Sequence, residues 1–126
     1  MTSPSRPAWP ALALCLGLAI TPLAPAHAQG NNADPEEQLD DGLKRFGYLT
    51  GLALGCVVQE QRKSLEREAL DLNAEITRLL GVDRAFLFTA AFGNGTGVAL
   101  KVEECKTVLE RYSARVAKFR QGKGGK

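Results

Sequence analysis

The chain holds one histidine, one methionine and one tryptophan, and His27, Met1 and Trp9 all fall within its first 28 residues. From Gln29 onward those residue types are absent. Histidine is the commonest general base and metal ligand. Without it, Ser-His and Cys-His nucleophilic catalysis, the usual zinc sites and haem ligated by His or Met lose an essential group. Paired carboxylates do not fill the gap: Asp40-Asp41 and Glu103-Glu104 are adjacent in sequence, so each pair points to different sides of a helix. Long apolar runs are missing too. Ala11 to Ile20 and Phe46 to Val58 are the extended ones, both short of the ~20 residues needed to span a bilayer. The expectation is no enzyme, no metal, no cofactor and no transmembrane span.

Residues 1–28 read as a cleaved secretory signal. A start bearing only Arg6 precedes the apolar "ALALCLGLAI", and "TPLAPAHA" then offers small residues at Ala26 and Ala28. A lipoprotein signal at Cys15 is disfavoured, because bulky Leu14 stands where a small residue is wanted. The expected compartment is the bacterial periplasm, reached by Sec-type export with cleavage near Ala28, with secretion as the alternative. Cys56 and Cys105 are then an even pair in an oxidising compartment, and a disulfide between them is the default reading. No C-x-x-C marks them as a redox pair. Closing that loop is expected to stabilise by about 4 kcal/mol.

Formal charge is nearly balanced, with 16 Lys+Arg against 14 Asp+Glu, but its distribution is not. "DPEEQLDD" (residues 34–41) has five acids and no base, and "RVAKFRQGKGGK" (residues 115–126) has five bases and no acid. The two segments suit solvated faces or neighbouring ends of an antiparallel bundle. A sharper reading gives the basic tail weak contact with an anionic membrane surface. Nucleic acid is not expected as a partner.

Helical periodicity dominates, and no alternating strand pattern of useful length occurs. Residues 29–33 read as a flexible start. "DPEE" begins a helix with Asp34 as cap and Pro35 at the first helical position, expected to run to about Phe46, where Gly47 ends or bends it. Leu54, Val58, Leu65, Ala69, Leu72, Ile76 and Leu79 form the stripe of a second helix that stops at Gly81. Asp83 is expected to cap a short third helix, "RAFLFTAAF", apolar nearly all round and therefore interior. After the turn "GNGTG", Val98, Val102, Cys105, Leu109, Tyr112, Val116 and Phe119 alternate spacings of four and three, a seam of coiled-coil type with Cys105 inward. The fold class is all-α: one four-helix domain over residues 34–120, with a disordered basic tail at 121–126.

"FGYLTGLAL" (residues 46–54) and "FGNGTGVAL" (residues 92–100) share six of nine residues. Each is followed by a cysteine and then by "SLER" or "VLER". Two pseudo-repeated helical hairpins of pattern FGxxTG...C, clipped by one disulfide, would account for this, with Thr50 and Thr96 capping the helices that follow. Gly47, Gly51 and Gly55 form a small-residue face of the kind that lets helices approach closely. Tight packing is the expectation, and a groove for a ligand or a partner's side chain is the alternative. "GNGTG" lacks the Gly-Lys-Ser/Thr of a phosphate loop, and a turn at Asn94-Gly95 explains it.

In size and cysteine spacing the chain resembles small exported helical proteins with one disulfide, such as acid-stress chaperones and immunity proteins of secretion systems. The functional expectation is an exported module that binds a protein partner, of accessory, immunity or inhibitor type. Gly47, Gly51, Gly55, Phe92, Tyr112 and Phe119 are its candidate packing or contact residues. A homodimer along the last helix, through Tyr112 and Phe119, is the simplest version. The alternatives are a periplasmic acid-stress chaperone, whose acid switch would act near pH 4 where carboxylates titrate, and a carrier holding a small apolar ligand between the Phe-rich helix and the glycine face.

Overall fold

The computed structural model describes residues 33–124. The expected signal segment, residues 29–32 of the expected flexible start and the last two residues of the expected disordered tail lie outside that range. Four helices follow in order, α1 (Pro35–Cys56), α2 (Gln59–Leu80), α3 (Val82–Thr96) and α4 (Val102–Gly124). Among the described residues there is no strand, and no helix is long and apolar enough to cross a membrane.

α1 starts as its sequence dictates. The Asp34 carboxylate accepts from the Glu36 amide at 3.0 Å, Pro35 has no amide to leave unpaired, and Glu36 and Glu37 face the positive end of the helix. It does not stop at Gly47. The helix continues through Gly47, Gly51 and Gly55 to Cys56, because the first two glycines are covered by α3 and packing offsets their poor intrinsic helix propensity. The break falls instead at Val57 and Val58, both extended. Leu54 thus belongs to α1, and Val58 is 60% exposed, outside the stripe assigned to α2. Gly81, at φ +93° in the left-handed region that favours glycine, ends α2 as expected. α3 begins at once at Val82, so Asp83 is not its cap. "GNGTG" is not a turn: α3 runs on to Thr96, and residues 97–101 make the connection. At the start of α4 the Glu104 carboxylate accepts from the Lys101 amide at 2.9 Å, one half of a capping box. That helix extends past Gln121 to Gly124, where the glycine-rich composition predicts disorder.

Gly47 lies against the backbone of Phe88, and Gly51 against those of Phe92, Gly95 and Thr96, so α1 and α3 run parallel with their backbones touching. α4 runs antiparallel to α1, with Arg115 near Gly42 at one end and the Cys56–Cys105 disulfide, Cα atoms 5.2 Å apart, at the other. α2 is the return segment between the parallel pair and packs along α3. The core gathers Leu43, Phe46 and Ala53 of α1, Leu72 and Ile76 of α2, Ala85 and Phe88 of α3, and Val108, Tyr112 and Val116 of α4. Phe46 is its hub. The Phe88 ring meets it edge-on at 5.4 Å, Phe119 lies at 5.9 Å, and the Arg115 guanidinium sits 5.0 Å over its face, a cation–π contact.

The two FGxxTG segments are not equivalent in the fold. One is the middle of α1, and the other is the end of α3 with its exit. The Thr50 hydroxyl, fully buried, donates to the Phe46 carbonyl at 2.8 Å. Thr96, exposed, donates to the Gly93 carbonyl at 2.7 Å. Neither threonine caps a following helix.

Candidate functional site: an apolar groove between the second and third helices

α3 is two-sided, contrary to the interior position expected for it. Ala85, Phe88 and Gly95 are buried, whereas Val82 is 71% and Phe86 69% exposed, and Thr89, Ala90 and Gly93 are also exposed. Arg84 turns away from this outer face to bond Asp40 of α1 at 3.0 Å, with Glu36 at 4.0 Å. Asp83 is therefore the one charged residue left on the exposed side of α3. Among the described residues the acidic start of α1 finds its cross-helix partner in Arg84 of α3.

Beside that face runs a groove with a volume of about 330 Å³. α2 lines it with Glu66, Ala69, Leu70 and Asn73, α3 with Phe88, Thr89 and Phe92, and α1 with Leu54. Leu70 stands 70% exposed at the groove. One polar bridge crosses it: the Thr89 hydroxyl donates to Asn73 Oδ1 at 2.8 Å and lies 3.0 Å from the Ala85 carbonyl. No buried side-chain N or O atom among the described residues lacks a hydrogen-bond partner, and no three His, Cys, Asp or Glu side chains are grouped to hold a metal. The groove offers apolar area and shape rather than reactive groups.

The sequence-selected residues separate into four places. Gly47 and Gly51 are buried under α3 and leave no room for a ligand, so the carrier site expected between the glycine face and the Phe-rich helix is closed. Gly55 faces open space, with nothing within 4 Å of where its Cβ would stand, and takes no part in the α1–α3 contact. Phe92 lines the groove. Tyr112, 5% exposed, is spent inside the chain and is unavailable as the dimer contact expected of it, while Phe119 is half-buried against Phe46. The seam of α4 likewise turns inward from Cys105 on, with Val98 and Val102 left outside it at 38% and 86% exposure. Leu70 and Phe86 were not legible as site residues, because exposed leucines and phenylalanines look like core residues until their direction is known.

Tyr112 belongs to a second cluster, which closes α4 onto α2. Its hydroxyl donates to Glu68 Oε1, and the other carboxylate oxygen accepts from Arg120 at 3.1 Å. Burial first, and then the hydrogen bond to Glu68, push the phenol well above its ordinary value of 10.0. Because the folded value is raised, the associated stability is complete below about pH 10, where an unfolded tyrosine begins to ionise, and is lost as pH rises further. Urea unfolding should therefore give a lower midpoint at pH 11 than at pH 8. Tyr112→Phe should cost about 1 kcal/mol at pH 8 and show a smaller alkaline loss than the wild type. Equal alkaline losses in the two proteins would remove Tyr112 as the cause.

No protein-family model matches the chain, and no curated protein and no solved structure was found to be similar to it.

Proposed function

We propose that this is an exported, disulfide-bonded helical protein that acts by binding a protein partner through its α2–α3 face and performs no chemistry of its own. The observation that carries the reading is Phe86, 69% exposed on a face of α3 almost free of charge, with Leu70 similarly exposed at the adjoining groove. Large aromatic and aliphatic side chains left in water beside an apolar cleft are the usual anchors of a protein interface. Export and periplasmic location rest on the N-terminal sequence pattern and on the paired cysteines, which suit an oxidising compartment. The lack of histidine after Ala28 supports a binding role over a catalytic one.

A photo-crosslinking amino acid at position 86, introduced into the full chain in its own cells, tests this directly. The expected result is one dominant covalent adduct with another protein, lost on Leu70→Asp and absent when the crosslinker is placed at exposed Ser113 of α4. Leu70→Asp is a surface change and should leave stability within about 0.5 kcal/mol of wild type. Equal crosslinking from positions 86 and 113, or none from 86, would discard the α2–α3 face as the interface.

A further inference from the structure

A second cleft opens between the C-terminal parts of α2 and α4, with a volume of about 480 Å³. Leu79, Leu80 and Phe119 give it an apolar lining, and every charged residue that lines it, Arg78, Arg115 and Lys118, is a cation. We propose that this cleft binds the anionic head of a single-chain amphiphile, the simplest being a fatty acid, with its tail laid along Leu79 and Phe119.

The charges around the cleft set the sign of the ligand. Arg115 has no carboxylate partner among the described residues; its guanidinium carbon lies 5.0 Å from the centre of the Phe46 ring, a contact that leaves its N–H donors without an anionic partner. Lys118 has no ion pair among the described residues either. Arg78 shares Glu75 at 3.0 Å, so two of the three cations are uncompensated. The carbonyl ends of α2 and α4 add partial negative charge at this end of the bundle, and a carboxylate placed between Arg115 and Lys118 is bound by full charges that outweigh it.

The lining sets the rest of the ligand. Inorganic phosphate or a small acid would leave the apolar wall in water, and Leu79 is already 43% exposed; an acyl tail covers it. A broad anionic bilayer fits less well. α4 ends where α1 begins, so a membrane approaching the cleft would also meet the acids of residues 34–41, of which Glu37 is unpaired among the described residues. A single ligand within the cleft avoids them. The sequence hinted at this end through its basic tail, but not at Arg78 and Leu79, which α2 brings from some forty residues earlier in the chain.

The test uses the ¹⁵N-labelled purified protein titrated with decanoate below its aggregation concentration, followed by amide shifts. The expected result is saturable binding with the largest shifts in residues 78–80 and 115–122. Decanol, decyltrimethylammonium and inorganic phosphate should each bind about tenfold more weakly or not at all. Lys118→Glu, an exposed change that spares the core, should weaken decanoate by about tenfold, and Arg115→Gln by at least as much; were the latter to unfold the protein, Lys118→Glu alone decides. Equal shifts from inorganic phosphate would reduce the cleft to a general anion site and overturn the proposal. Binding of decanol as tight as decanoate would remove the role of the cations. Co-sedimentation with anionic phospholipid vesicles, abolished by Lys118→Glu in a protein indifferent to decanoate, would assign the cleft to a membrane surface instead.

Discussion

Replacing Gly51 with alanine should destabilise the domain by about 2–3 kcal/mol, although the same change in an open helix is favourable. An added Cβ would stand 2.8 Å from the Thr96 amide nitrogen and 2.9 Å from the Gly95 carbonyl carbon. Those atoms are backbone of α3 and cannot rotate aside, so relief requires the two helices to part and to uncover Phe46, Phe88 and Thr50. Gly55 is the internal control. It lies on the same helix four residues later, with nothing near its Cβ position, and Gly55→Ala should raise stability by about 0.5–1 kcal/mol through the ordinary helix preference for alanine. Opposite signs at two glycines one helical turn apart are the diagnostic result. Chemical denaturation of both variants reads it, and a Gly51→Ala protein as stable as wild type would mean that α1 and α3 do not touch in this way. Gly47→Ala and Gly95→Ala should follow Gly51, since each of those glycines also faces backbone.

Loss of the disulfide should be comparably severe. Cys56 and Cys105 are separated by 49 residues, and opening a loop of that length frees the unfolded chain by about 4 kcal/mol on the chain-entropy account, with 2–5 kcal/mol typical for small exported domains. For a domain of this size the thermal midpoint should fall by about 10–25 °C in the Cys56→Ser, Cys105→Ser double variant. Either single variant should match the double closely, because the loop is open in all three and the residual packing difference is small. A drop below about 5 °C would show that the bond contributes little, and non-reduced peptide mapping of the wild type would then have to show why.

Periodicity in the sequence foretold four helices, their all-α class and the cysteine pair, because apolar stripes and an even cysteine count report directly on burial and crosslinking. Boundaries were legible only where the chain carries punctuation. Asp34-Pro35 and Gly81 were read correctly. Val57-Val58 was not, since two β-branched residues are no recognised stop, and Gly47 was given a stop that packing cancels. The glycines supplied the contact surface but not its partner. That α1 would lie on α3 depends on Gly95, which in isolation reads as part of a turn. The groove and the α2–α4 cleft were hidden for another reason: both are made of residues far apart in the chain, and no spacing rule announces which exposed leucine will stand beside which phenylalanine.

The parallel contact between α1 and α3 also governs the order in which the fold can assemble. Helical bundles fold fast when each helix meets its neighbour in sequence, since few residues separate the contacts. Here the closest backbone approach joins Gly47 to Phe88 and Gly51 to Phe92, with the whole of α2 intervening, so the entropy of closing that loop comes before the contact rewards it. A chain made N-terminus first presents the glycine face of α1 with nothing to cover it until α3 has followed, and Cys56 waits longer still for Cys105. During that interval α1 is a strip of bare backbone and apolar side chains, and its cover arrives only after the whole of α2 has been made.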